Sequence, residues 1–188
     1  FGAMLVQCAI VWYVTLKTSS GAWIAARTGC SLLPQTIVSF FSGAWADRYS
    51  KKMLIIVSDS VIAASTLVLA LLFPLIREDN AILLALLVTS VIRSIGSGVQ
   101  LPAVNATTPL LVPQEQLMRV NGINATLQSI IQFAAPAAAG AILTASTLRS
   151  TLFIDIITAL VGIGLVSCIL LPKQQQEESE VQSVFADI

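Results

Sequence analysis

No charged residue occurs between Val120 and Leu148, and between Ala81 and Gln114 there is one, Arg93. A helix needs roughly 20 such residues, rising about 1.5 Å each, to cross about 30 Å of hydrocarbon. A helix in a soluble core shows a polar face at every turn, and these segments do not. The composition agrees: 56% hydrophobic and 11% charged leaves little polar surface for water to solvate. The chain reads as an all-α membrane protein of six transmembrane helices.

In order, helix one runs from Phe1 to about Leu16 as the surviving part of a truncated first span, followed by a turn at Lys17–Gly21. Helix two spans about Ala22 to Ala46, helix three Met53 to Ile76, and Arg77–Asn80 forms a compact turn. Helix four starts near Ala81, with Pro102 and Pro109 marking its unravelling before a turn at Val112–Glu115. Helix five runs from about Met118 to Leu143 and helix six from about Thr151 to Leu171, where Pro172 ends it. Residues 1–171 are thus one bundle, and 172–188, rich in Gln, Glu and Ser, a solvated cytoplasmic linker.

The turn between helices two and three, Gly43-Ala44-Trp45-Ala46-Asp47-Arg48-Tyr49-Ser50-Lys51-Lys52, holds the densest positive cluster in the chain. Cations flank spans on the cytoplasmic side, so this corner and both chain ends are expected inside the cell. A faint internal correspondence points to a three-plus-three inverted repeat. Helices two and five each hold an interior proline, Pro34 and Pro136, and helices three and six each hold one aspartate, Asp59 and Asp155.

Zero net charge argues against nucleic acid as a partner. With no histidine, proton chemistry falls to carboxylates. Cys8, Cys30 and Cys168 lie in three different apolar segments without metal-type spacing and read as small buried thiols. No phosphate-cradling glycine loop, zinc spacing or Ser/His/Asp constellation is present, so neither an enzyme, a metal nor a cofactor is expected. The partners expected instead are the lipid bilayer and a small molecule.

Charges inside the membrane carry the information, because each costs roughly 2.5–3.5 kcal/mol unless paired or hydrated. Counting from a common outer boundary at about 1.5 Å per residue, Arg93 lies roughly 18 Å deep, Asp59 about 21 Å and Asp155 about 8 Å. The matched depths predict an Arg93–Asp59 pair between helices three and four, with Asp155 nearer to Arg27 or Lys17. Arg93 then either exchanges partners in a watery cavity or holds two helices in a fixed pair. Gln7 is the one strongly polar side chain of helix one and a candidate for the cavity wall.

At the corner, Gly43 would permit close helix approach, Asp47 would accept hydrogen bonds or face a helix N-terminus, and Arg48, Lys51 and Lys52 would pair with acids or lipid phosphates. The alternatives are a conformational latch and a set of topological anchors. Small residues are the other motif: Gly96-Ser97-Gly98 in helix four, and Ala134 through Gly140 around Pro136 in helix five. Such stretches let backbones approach closely in lipid, and a proline adds a bend.

Three stretches carry a family likeness: the corner Gly43–Lys52; Val91–Gly98 leading into Leu101–Ala106; and Leu111–Leu117 with Asn121-Gly122, on through Pro136 to Gly140. Together with the span order they make the chain resemble the N-terminal half of a major facilitator superfamily transporter. The branch it resembles is that of the drug:proton antiporters, which contains macrolide-efflux and enterobactin-exporter-like proteins. The resemblance implies half of a major facilitator fold, alternating access, and efflux of amphipathic molecules in exchange for protons across a bacterial inner membrane. It assigns Arg93 to proton coupling and Gly43–Lys52 to gating. It also implies a second six-helix bundle, or a second copy in its place. Uncoupled or inward transport, or a nontransporting remnant, are the alternatives. Two motifs depart from the family pattern: Gly96 and Ser97 stand where Gln and Gly are usual, and the fifth-helix G-P-x-x-G-G is reduced to Ala135-Pro136-Ala137-Ala138-Ala139-Gly140.

Overall fold

The computed structural model describes residues 1–76, 78–145 and 147–168, apart from the side chains at positions 44 and 46–48. The described chain folds as α1 (Gly2–Thr18), α2 (Gly21–Arg48), α3 (Lys51–Leu72), α4 (Asp79–Leu111), α5 (Gln114–Ala145) and α6 (Leu148–Cys168). Helices α3 to α6 are each long and apolar enough to cross a membrane, whereas α1 is apolar but only 17 residues long. The 28-residue α2 is diluted by Arg27, Thr28, Ser31, Gln35, Thr36, Ser39 and Ser42. Pro172 and the expected linker from Lys173 to Ile188 lie outside the described residues.

The helices alternate in direction. A Lys17–Asp79 ion pair at 3.0 Å puts the end of α1 beside the start of α4, at what we call the Ser19 end. Lys52 Nζ donates to the Ser167 carbonyl at 2.7 Å, which joins the start of α3 to the end of α6 at the opposite, Tyr49 end. Ser19 takes the left-handed conformation (φ 47°) that closes α1 and lets the chain reverse within two residues.

Two expectations about the backbone are corrected. The corner is tighter than expected, because helix continues past Ala46 to Arg48 and resumes at Lys51, ahead of Met53, leaving Tyr49 and Ser50 as the turn. Nor does α4 unravel at Pro102 and Pro109; both lie inside a helix that reaches Leu111. A span has no water to take up released backbone groups, so continuing the helix around a proline is the better solution there than abandoning it.

The neighbour pattern shows the internal repeat directly. Packed pairs among the described residues are α2 with α4, α3 with α4, α3 with α6, α1 with α5, α1 with α6, α1 with α2, α5 with α6, α1 with α4, α2 with α3, and α4 with α5. Exchanging α1 with α4, α2 with α5 and α3 with α6 maps this set onto itself. That is the arrangement expected of two three-helix units in inverted orientation. The apolar core, built from Val6, Ile10, Val14, Leu69, Leu86 and Leu152 among others, sits toward the Ser19 end. Outside it, Phe41, Leu75, Met118 and Phe133 face outward, as lipid-facing side chains do. Of the thiols expected to be buried, Cys8 and Cys30 are half-buried and Cys168 is exposed.

Candidate functional site

Four helices meet at one guanidinium. Arg93 of α4 donates through Nη1 to Asp155 Oδ2 of α6 at 2.5 Å and to Thr66 Oγ1 of α3 at 2.5 Å. Its Nη2 reaches the Ala3 carbonyl of α1 at 3.2 Å. The Arg93 and Asp155 side chains are 6% and 3% exposed, and Thr66 is fully enclosed. Thr66 Oγ1 also lies 3.2 Å from Asp155 Oδ2, within donating distance. The opposite charges and these bonds offset a desolvation that neither group could bear alone.

The expected Arg93–Asp59 pair does not form, and Asp155 is not partnered by Arg27 or Lys17. The depth count failed because the helices do not begin in one plane. Lys17 to Ala3 along α1 and Asp79 to Arg93 along α4 are the same number of residues, so Ala3 and Arg93 lie level with each other. Asp155 meets them from only the second turn of α6. At the Ser19 end, then, α3 and α6 are the short helices and α1 and α4 overhang them. Arg27 donates instead to the Gln7 carbonyl at 2.9 Å. Gln7 Nε2 donates to Ser31 Oγ at 3.1 Å, and Ser94 Oγ to the Ser31 carbonyl. This second polar layer ties α1, α2 and α4 together, and Gln7 is one of its members.

Asp59 has a different partner. Gln100 Nε2 donates to its Oδ1 at 2.5 Å, and both side chains are half-buried. Thr66 stands seven residues above Asp59 on α3, and Gln100 seven beyond Arg93 on α4. The antiparallel pair therefore carries two polar rungs about 10 Å apart. That spacing was the sequence signal for Thr66 and Gln100, which reading by charge alone passed over.

Between the rungs, glycine sets the helix spacing. A Cβ on Gly96 would sit 2.6 Å from Ile62 Cγ1 on α3, and one on Gly98 only 2.8 Å from the Gln35 carbonyl on α2. The close approach expected at Gly43 and Gly140 is absent: no described atom lies within 4 Å of a Cβ there. In α5 the tight contact is made by Ala135 and Ala139, both fully buried, with Pro136 half-buried between them and Pro34 likewise half-buried in α2.

At the corner, Lys51 is buried in the first turn of α3 and Lys52 caps the Ser167 carbonyl at the end of α6. Asp47 and Arg48 end α2, and their side chains lie outside the described set. Along α5, Asn121, Asn124, Gln128 and Gln132 continue the helical stripe of Ala135 and Ala139 toward the Tyr49 end, and all four are exposed. On α2, Leu32, Gln35, Thr36, Ser39 and Phe40 line an open cavity of about 360 Å³. The two repeat-related helices thus both present mixed polar and apolar faces.

Comparison with known proteins gives this architecture its family. The model of the Major Facilitator Superfamily matches residues 1–185. The chain belongs to that superfamily. It is 32% identical over 169 residues to macrolide efflux protein A of Streptococcus pyogenes, covering 90% of this chain and 41% of the relative. The protein of the same name in Enterococcus faecalis is 32% identical over 152 residues, 81% of this chain and 46% of the relative. The staphyloferrin A transporter of Staphylococcus aureus is 27% identical over 143 residues, 76% of this chain and 35% of the relative. The chain spans less than half the length of these superfamily relatives. No solved structure matches it. As a superfamily member with apolar helices, it is a multi-pass membrane protein.

Proposed function

We propose that this bundle is half of a secondary transporter that expels amphipathic small molecules, macrolide-like drugs or siderophores, in exchange for protons by alternating access. The observation that carries the reading is the Arg93–Asp155–Thr66 junction. A buried ion pair where four helices converge, in a chain similar over nine-tenths of its length to a macrolide efflux protein, fits a bundle that moves as a unit around a charged centre. Likeness to a staphyloferrin A transporter supports the siderophore class. The exposed faces of α2 and α5 would line the substrate path and receive a second six-helix bundle, or a second copy of this one. The Gly43–Lys52 corner would face the cytoplasm of a bacterial inner-membrane protein, where Lys52 on the Ser167 carbonyl makes a contact that gating could break.

The test is drug retention in cells expressing the bundle together with a second six-helix half. Proton-coupled export predicts that an uncoupler abolishes efflux and that cargo then accumulates. Efflux unchanged by the uncoupler would leave an uncoupled facilitator. Topology is read separately: a Ser50→Cys variant should resist an impermeant thiol reagent in intact cells and react after lysis.

A further inference from the structure

Resting on the proton-coupled reading above, we propose that Asp59 is the carboxylate that binds and releases the transported proton, while the Arg93–Asp155 pair stays closed. The two rungs between α3 and α4 differ in what protonation would do to them. A proton on Asp155 would leave Arg93 unpaired in a site from which solvent is excluded, and a guanidinium has no neutral form to fall back on. Three helices would lose their shared bond at once. Asp59 has no cation partner among the described residues; Gln100 alone donates to it.

A carboxamide can serve both forms of a carboxyl group. Its NH₂ donates to the carboxylate, and after a flip its oxygen accepts from the acid. The rung therefore survives both states, and the bundle need not open when the proton arrives. The step is only the addition of a proton from water to a carboxylate oxygen and its later return to water; no bond between heavy atoms changes.

The surrounding charges leave this site short of positive partners. From α6, Asp155 brings no net charge, because it is closed onto Arg93. From α4, Arg93 lies two turns above and is already held by Asp155. On α3 itself, Lys52 lies two turns below and holds the Ser167 carbonyl. From α2, the packed groups near the lower rung are the Gln35 carbonyl and Val38 against Gly98, neither ionisable. Asp59 is also only half-buried, so the apolar core need not be dismantled to reach it.

Infrared difference spectroscopy on the purified chain in lipid, stepped between about pH 5 and 9, reads this directly, because solvent carboxylates stay ionised over most of that range. The wild type should show a carboxylic C=O band that grows as pH falls and shifts in D₂O. Asp59→Asn should lose it, Gln100→Leu should move its frequency, and Asp155→Asn should retain it. If Asp155→Asn does not fold, the Asp59→Asn and Gln100→Leu spectra still decide. A band that persists in Asp59→Asn, or no titrating band in the wild type, overturns the assignment. The uncoupler experiment is independent of this one: uncoupler-insensitive efflux with a titrating Asp59 would sink proton coupling, and with it the transported proton, whereas uncoupler-sensitive efflux without a titrating Asp59 would overturn this assignment alone.

Discussion

Asp59 and Asp155 stand within one residue of the same distance from the start of α3 and of α6, the two helices that the internal repeat exchanges. Asp155 is enclosed, bound to a cation and braced by a hydroxyl, whereas Asp59 is half-open and bound to a neutral amide. The difference comes from their neighbours. Next to α3, α4 supplies the Gln100 side chain. Next to α6, the equivalent helix α1 supplies only backbone and space: the Ala3 carbonyl joins Arg93, and a Cβ on Gly2 would run into Thr158 and come within 3.1 Å of Asp155. The repeat thus fixes where a carboxylate stands, and the partner helix decides what it can do there.

Breaking the enclosed side of this comparison should have the largest effect. Arg93→Met or Asp155→Leu alone strands a buried charge, a loss of about 3–5 kcal/mol. Thermal unfolding in detergent, followed by helical circular dichroism, should show either single variant far below the wild type. The double variant Arg93→Met with Asp155→Leu should recover most of the loss, since two apolar groups leave nothing unpaired. A double variant no better than the singles would mean that Arg93 matters through its Ala3 and Thr66 bonds instead of its charge.

The glycines rank next, and they separate a backbone neighbour from a side-chain one. Gly98→Ala drives a methyl against the Gln35 carbonyl, backbone that cannot rotate away, so a cost of about 1–3 kcal/mol is expected. Gly96→Ala meets Ile62 at Cγ1, which a β-branched side chain in a helix holds in one favoured rotamer, so a similar cost is expected there. Adding Ile62→Ala should relieve Gly96→Ala and leave Gly98→Ala unchanged. No relief of Gly96→Ala by Ile62→Ala would show that α4 shifts as a body.

The open side should barely register in stability. Asp59→Asn keeps an acceptor for Gln100, so its unfolding transition should lie within about 1 kcal/mol of the wild type. A loss as large as that from Asp155→Leu would erase the distinction between the two aspartates.

Much of this was legible in the sequence, and the parts that were not share one cause. Six helices, their order and the repeat followed from runs such as Val120–Leu148 and from the placement of Asp59 and Asp155, because a bilayer fixes span length and allows only helix across it. The importance of Arg93, Gly96 and Gly98 was legible for the same reason: a charge, or a missing side chain, has few uses inside a span. The partner of Arg93 was not legible. Depth along a helix converts to contact only if helix ends are level, and α1 and α4 overhang α3 and α6 at the Ser19 end. At Gly43 and Gly140 a glycine marks a possible close approach, and no described residue of this bundle takes it up.

The smallest effect belongs to the surface pair Lys17–Asp79, which serves as the control for the buried one. Both side chains lie beyond the apolar part of their helices and are 42% and 64% exposed, so water and salt screen their attraction. The bond to Asp79 and its charge hold the Lys17 ammonium above its ordinary value of about 10.5. A raised lysine value favours the folded state at any pH below the ordinary one, and that contribution disappears as pH climbs through the raised value. Lys17→Met should therefore match the wild type closely at neutral pH, and any small deficit should vanish in high salt or in strong alkali. A neutral-pH loss as large as that from Gly98→Ala would show that the Ser19 end is held by this contact, and not by the apolar core beneath it.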